Sequence, residues 1–540
     1  MCGETGGLKK SERNLLEKIY RRKIPPEAVF TTEFANYLVS ISSSINRQVG
    51  VLLNRKGIVT HVIVGDTKGI MIPSLEDYPL GRKPLRGLRL IHTHLYNEPL
   101  NQDDLTDLAL LRFDIFVALG IKNGTPHTVY SAHLKPDSND LEILPPAHIS
   151  SFSLNFKEFI QSLEEEMNRK RVIDQDDPRE RAILISISKE PRYRQEECLD
   201  ELQELALSAD VVVLDRVIQR VKEVNPRYLM GMGRLKELII NALSKGATLL
   251  IFDQNLTPSQ MKAISELTEL KVIDRTQLIL DIFAKRAHTR DGKVQVELAQ
   301  LRYRLPHLSG KGTAMSRLTG GIGGRGPGET KLEIDRRRVR ERISLLEREL
   351  KKLAEARRQR KHRRKQKNIP IVSIIGYTNA GKSTLLNNLT HSNTFTEERM
   401  FATLDTASRR LRFPREREII ITDTVGFIRD LPKDLIAAFK STLEELHDAD
   451  LLIHLVDISN PRFPDQIESV EKILDELGLS EKERLLVFNK IDRLPPEEVY
   501  NICHRYHGIG ISAIDKSSFT PLLRAIEEHL WNEKLAPIGV

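Results

Sequence analysis

Residues 370–384 read Pro-Ile-Val-Ser-Ile-Ile-Gly-Tyr-Thr-Asn-Ala-Gly-Lys-Ser-Thr. Ile371 to Ile375 is mostly apolar and β-branched, as a buried parallel strand requires. The next eight residues, Gly376, Tyr377, Thr378, Asn379, Ala380, Gly381, Lys382 and Ser383, fit G-x-x-x-x-G-K-[ST], and Thr384 to Leu389 then has a helical pattern. Strand, phosphate loop, helix is the order that phosphate binding needs. The glycines let the backbone turn its N–H groups, with the helix N-terminus, toward phosphate oxygens. Lys382 offers a point charge to β- and γ-phosphates, and Ser383 a hydroxyl ligand for Mg²⁺.

Four further motifs follow in sequence. Asp423-Thr424-Val425-Gly426 comes after the apolar run Ile419 to Ile421. A carboxylate there holds Mg²⁺ through water, and Gly426 lets a backbone N–H approach the γ-phosphate. Phe401-Ala402-Thr403-Leu404-Asp405 lies between, and Thr403 is the natural second hydroxyl for the metal. Asn489-Lys490-Ile491-Asp492 follows the strand Leu485 to Phe488, and the Asp492 carboxylate accepts from guanine N1 and N2, donors that adenine lacks. Ser512-Ala513 closes the base pocket. Each motif alone also describes an ordinary turn or strand end; five in this order describe a guanine-nucleotide switch with Lys382, Thr403 and Gly426 as its catalytic groups. Phe427 stands after Gly426, and a phenyl ring neither accepts nor donates a proton. Slow intrinsic hydrolysis is therefore expected, with water positioned by backbone, by ordered switch loops or by a docking partner.

A chain of 540 residues is too long for one core, and three or four domains are expected. With 40% hydrophobic and 29% charged residues, the composition is that of soluble globular domains. No run approaches a membrane-spanning length, the amino-terminal stretch lacks a signal-peptide core, and Cys2, Cys198 and Cys503 are too far apart for a zinc spacing. A reducing cytoplasm is the expected compartment, with peripheral membrane association left open.

Taken in order, residues 1–175 read as an α+β domain ended by a linker at Asp174-Gln-Asp-Asp-Pro. Residues 182–280 alternate strands and helices as a small parallel α/β unit. Within it Gly231-Met-Gly233 reads as an ordinary turn opening a helix, and a second nucleotide site there is neither required nor excluded. Helical periodicity runs from about Leu278 to Leu305, and again from about Glu329 into the 360s, where Val339, Ile343, Leu346, Leu350 and Leu353 step as an a/d seam. A helical hairpin over 281–368 is expected. Residues 369–533 form the nucleotide domain, leaving 534–540 as a tail. The fold class is thus multidomain α/β, with a doubly wound, mostly parallel P-loop GTPase sheet.

The loop Ser309 to Gly328 has eight glycines and no acidic residue. Too poor in apolar residues to bury itself, it suits an anionic partner through Lys311, Arg317 and Arg325, and structured RNA is the expected one. Residues 357–367, again without an acid, suit phosphate backbones.

His92 and His94, at i and i+2 on an apolar strand, share a face, and Asp104 at a helix start would complete a metal site. The pattern resembles the JAMM/MPN metalloprotease motif. It departs from it at Leu95 (proline), at Asn101 (serine), in a histidine-to-Asp spacing two residues short, and at Gln48, where that family has its catalytic Glu. Without that base a metal-bound water lacks a proton acceptor. A structural remnant is the leading reading, with zinc at His92, His94 and Asp104 and peptidase activity the lesser ones.

Residues 182–533 resemble the HflX family of ribosome-associated GTPases. The resemblance is carried by Val272 to Phe283, Val296 to Leu301, Gly320-Gly-Ile-Gly-Gly-Arg-Gly-Pro-Gly-Glu-Thr330 and the loop Gly376 to Ser383. It implies binding to the large ribosomal subunit and its RNA, splitting or rescue of stalled or idle ribosomes, and release of the factor by GTP hydrolysis. It also implies that the glycine-rich loop reaches the peptidyl-transferase region. The amino-terminal 180 or so residues resemble only a longer-armed subset of the family, and the small carboxy-terminal domain of some members is absent. Asn379 resembles the residue through which some GTPases recruit K⁺. A monomer off the ribosome is expected. The non-enzymatic alternative is a GTP-switched RNA-binding assembly or stress adaptor.

Overall fold

The structure is a computed structural model of the chain. It describes residues 1–531 except 74, 76, 79, 81–82, 137–139, 175–178, 309–330, 366–368, 391–399, 402–406, 414–416, 424–425, 430, 432–434 and 437–445. The glycine-rich loop, Thr403 with Ala402, Leu404 and Asp405, and Thr424 with Val425 therefore lie outside the described residues. Among those described, no helix is long and apolar enough to cross a membrane.

The chain packs as two units. The first comprises Met1–Arg181, Val224–Leu250 and Ala263–Lys271. Its strands are β1 (Cys2–Gly3), β2 (Val49–Asn54), β3 (Val59–Val64), β4 (Leu88–His94), β5 (Phe116–Lys122), β6 (Thr125–Leu134), β7 (Leu141–Ile143) and β8 (Ala147–His148). They form one sheet in the order β1-β3-β2-β4-β5-β6-β7, with β8 also on β6. The period-2 geometry of a strand splits β4 between two cores. Ile91 faces Phe34, Leu38, Phe156 and Ile160 from the helices Thr32–Ile45 and Phe156–Asp174. Leu88 and Leu90 face Leu108 of the helix Gln102–Leu111. His92 and His94 fall on this second face.

The second unit comprises Ala182–Glu223, Ile251–Lys262 and Val272–Val540. A smaller sheet, most of it in this unit, runs β10 (Val212–Arg220), β9 (Arg181–Ser188), β11 (Leu249–Phe252), β12 (Lys271–Asp274). The expected single helical run from Leu278 to Leu305 is two helices, Arg275–Arg286 and Arg290–His307. Ala287 turns extended at ψ 105°, and the Thr289 hydroxyl accepts from Gly292 N–H at 3.1 Å, capping a new start. The second of these helices pairs with Lys331–Lys365 through Val294, Leu298 and Leu301 against Ile343, Leu346 and Leu350. Arg290–Glu349 and Arg342–Glu297 ion pairs flank that seam in an antiparallel register, and Arg302–Glu347 adds a third pair.

The larger sheet runs β14 (Ala407–Arg412), β15 (Glu418–Asp423), β13 (Ile371–Gly376), β16 (Leu451–Asp457), β17 (Arg484–Asn489), β18 (Ile509–Gly510). Only β14 is antiparallel. The chain order reverses at β13, which lies between β15 and β16, so a crevice opens beyond its carboxyl end. Ligands of open α/β sheets bind in such a crevice.

Candidate nucleotide site

Beyond β13 the backbone enters a conformation that few side chains allow. Gly376 has φ +151°, and a Cβ on it would stand 2.1 Å from the Leu455 carbonyl oxygen. Gly381 has φ +93°, and a Cβ there would stand 2.3 Å from Asn489 Nδ2. Only glycine fits either place. Between them Asn379 is left-handed at φ 67°, and the helix Lys382–Thr390 starts directly after. The loop therefore ends on a helix N-terminus, as anion binding needs.

Lys382 is buried, and its Nζ donates to the carbonyls of Gly376 at 3.1 Å and Tyr377 at 2.7 Å. Burial lowers its pKa to about 8, against the opposing pull of Asp423. Ser383 Oγ donates to Asp423 Oδ2 at 2.6 Å, so a hydroxyl and a carboxylate meet at the loop's end. That oxygen pair fits a small hard cation such as Mg²⁺. The register of β13 with β15 sets it, placing Ile374 opposite Asp423. Gly426 lies against Lys382: a Cβ on it would be 3.1 Å from Nζ. Phe427, buried, bonds its N–H to Gly376 O at 3.1 Å and its carbonyl to Thr378 N–H at 2.8 Å. Phe401 turns its ring onto Phe283, centroids 4.6 Å apart.

The base-side motifs converge equally closely. Asn489 accepts from Ala513 N–H at 2.8 Å and donates to Ala380 O at 2.7 Å, tying the phosphate loop to the Ser512-Ala513 turn. Asp492 accepts from Ser512 Oγ at 2.5 Å. Lys490, left-handed at φ 64°, reaches Asp457 at 2.6 Å. Ile491 sits in the apolar cluster with Phe488. The motif reading missed three participants: Asn388, which donates to Ala513 O at 2.8 Å, Asp457, and Glu201, which accepts from the Tyr377 hydroxyl. Asn388, one helical turn past Thr384, could have been found by asking what fills the turn's open carbonyl; the other two carry no local signal.

Comparison with known proteins gives the family. Residues 196–284 match the family described as GTP-binding GTPase N-terminal, 286–364 its middle region, and 371–490 the family described as 50S ribosome-binding GTPase. The GTPase HflX of Caldanaerobacter subterraneus subsp. tengcongensis is 50% identical over 355 residues, 66% of this chain and 82% of that protein. The chain belongs to the HflX family of GTPases. Escherichia coli (strain K12) HflX is 40% identical over 368 residues, covering 67% of this chain and 85% of its own. A crystal structure of a Sulfolobus solfataricus GTP-binding protein with GDP is 27% identical, covering 65% of this chain and 98% of that chain with a TM-score of 0.36. As an HflX GTPase, the protein hydrolyses GTP to GDP and phosphate.

The first unit carries a second constellation. Ligand atoms of His92, His94 and Asp104 lie within 4.8 Å of one another, all buried. His94 Nδ1 donates to the Glu98 carbonyl at 2.8 Å, which fixes the tautomer and aims Nε2 toward Asp104, 3.4 Å away. Asn101 holds Asp104 by a reciprocal cap, accepting from its N–H at 2.8 Å and donating its own to Oδ2 at 2.9 Å. Both His92 ring nitrogens and both Gln48 amide atoms are buried with no hydrogen-bond partner. Gly50 pairs with His92 across β2 and β4, and Gln48 lies two residues before Gly50. Two imidazoles and a carboxylate fit a zinc-type ion. Gln48 offers an amide where metal-assisted hydrolysis needs a base.

Proposed function

We propose that this HflX GTPase binds the large ribosomal subunit and its RNA in the GTP form, splits or rescues stalled or idle ribosomes, and leaves on hydrolysis. The observation that carries the reading is that Asn489 ties the phosphate loop to the Ser512-Ala513 turn, in a chain whose residues 371–490 match the family described as 50S ribosome-binding GTPase. In this reading the N–H groups of Gly376 to Ser383 and the Lys382 ammonium receive the phosphates, while Asp492, Ser512 and Ala513 select guanine. Ser383, Thr403 and Asp423 would hold Mg²⁺, which would supply positive charge to offset that of the phosphates. Phe427 supplies no proton acceptor, so contact with the ribosome orders the segment around Thr403 and accelerates turnover. Asn379 assists a K⁺ ion at the phosphates. The glycine-rich loop 309–328 and the basic run 357–367 supply the RNA contacts, and the protein works in the cytoplasm as a monomer off the ribosome.

Sedimentation of intact ribosomes with the protein and GTP, a non-hydrolysable analogue or GDP tests this. Conversion of monosomes to subunits by the triphosphates alone is expected. Co-sedimentation with unsplit particles would move the function to the assembly or stress adaptor. Equal GTP turnover with and without large subunits would remove the activation step, and equal turnover in K⁺ and Na⁺ the role of Asn379.

A second reading is favoured by the unpartnered nitrogens of His92: the first unit keeps a structural metal and no peptidase activity. Metal analysis of the purified protein and of a His94→Ala variant checks it. A metal-free wild type would leave the histidine face as a remnant.

A further inference from the structure

Arg429 follows Phe427 by two residues and is held at every polar group of its backbone. Its N–H donates to the Tyr377 hydroxyl at 2.7 Å, and its carbonyl accepts from Arg275 Nη2 at 3.3 Å. Its guanidinium donates to Cys198 Sγ at 2.8 Å and lies 3.7 Å from both Glu201 and Asp253. The Tyr377 hydroxyl, having accepted from Arg429, donates to Glu201. Glu201 also receives Arg275 at 2.9 Å, and Arg275 reaches Asp253 at 3.4 Å. Arg275 and the two carboxylates are thus buried together, with Arg429 half-buried at their edge, and losing one member of such a buried set is costly. Glu201 and Cys198 come from the helix Arg192–Ser208, Asp253 from the end of β11, Arg275 from the helix after β12. None belongs to the nucleotide motifs, yet all converge on a phosphate-loop side chain and on the segment after Gly426.

The same segment crowds the phosphate end of the site. Phe427 O occupies the Thr378 N–H, and Gly426 lies against the Lys382 ammonium, itself bonded to loop carbonyls. Lys382 serves the β-phosphate of either nucleotide, but a third phosphate that takes the Gly426 N–H must displace this packing, a demand that a diphosphate does not make.

We propose that Glu201 and Tyr377 are positioning residues for GTP hydrolysis: through Arg429 they hold Gly426 to Arg429 on the phosphate loop until a γ-phosphate draws the segment away. The small α/β sheet and its helices thereby set the cost of reaching the triphosphate form, and nucleotide state is transmitted to them through the Tyr377 hydroxyl together with Arg429. The inference rests on guanine-nucleotide binding and not on ribosome splitting, so a failed splitting experiment leaves it standing.

The test uses the full chain and two variants. Tyr377→Phe removes the hydroxyl and leaves the arginine–carboxylate cluster intact, so it should fold; Glu201→Gln removes the charge and is informative where it purifies folded. Affinities for GDP and for a non-hydrolysable GTP analogue are measured by competition with a fluorescent nucleotide, alongside kcat and KM. Tyr377→Phe should tighten the analogue relative to GDP by about fivefold, the effect of one hydrogen bond of ordinary strength, and lower the KM for GTP. A purely structural Tyr377 would shift thermal stability and both nucleotides together. An unchanged affinity ratio in Tyr377→Phe overturns the proposal.

Discussion

The Lys382 ammonium sits 2.7 Å from the carbonyl oxygen of Tyr377, bonded to its own loop and cut off from solvent. Burial holds its pKa at about 8, and nearby Asp423 offsets only part of that fall. Phosphate oxygens stabilise the charged form, so binding nucleotide takes up a proton once the pH passes about 8. GDP affinity should be flat below that point, weaken by up to about tenfold per unit above it, and flatten again near the ordinary lysine value. Titration calorimetry in buffers of different ionisation enthalpy would count the proton directly. Affinity independent of pH from 7 to 10 would contradict the assignment.

Asp492 accepts from Ser512 Oγ, which aims its carboxylate at the base position. Asp492→Asn turns one acceptor into a donor facing the donors of guanine. GTP affinity should fall about 100-fold, while xanthosine triphosphate, whose C2 oxygen accepts, should gain. Parallel turnover assays with both nucleotides check the exchange.

Asn489, almost fully buried, bridges Ala380 O and Ala513 N–H. Asn489→Ala leaves a buried carbonyl and a buried amide unpaired, a loss of about 2–4 kcal/mol. Nucleotide affinity and thermal stability should drop together, unlike the split response expected of Tyr377→Phe. Differential scanning fluorimetry with and without GDP separates the two contributions.

Leu346 is fully buried between the hairpin helices against Val294 and Leu298. Leu346→Ala should cost about 2–4 kcal/mol, and the small cluster has few other side chains to fill the gap. Hydrogen exchange should report earlier opening of 290–307 and 331–350 with nucleotide binding intact. Unchanged protection there would mean that the flanking ion pairs alone hold the hairpin.

The nucleotide site was legible because its chemistry is local. Phosphate is bound by consecutive N–H groups, so Gly376 to Ser383 must be contiguous, and Gly376 and Gly381 are required by backbone geometry alone. The histidine face was half legible: the strand period put His92 and His94 together, but Asp104 reached them through its helix cap. Thr289 was a break that apolar periodicity could not show, because a cap is written in a hydroxyl and one turn of backbone.

The sequence by itself determined that a strand–loop–helix phosphate site exists, which base it selects, and which family the chain joins, since each rests on residues a few positions apart. Only the tertiary structure decided what Tyr377 does. Its partner Glu201 lies 176 residues away, and no periodicity or motif links them. The meeting of buried Arg275 and half-buried Arg429 with two carboxylates, which gives that hydroxyl its leverage on Gly426, exists only once the small sheet and the nucleotide sheet have folded around the same side chains.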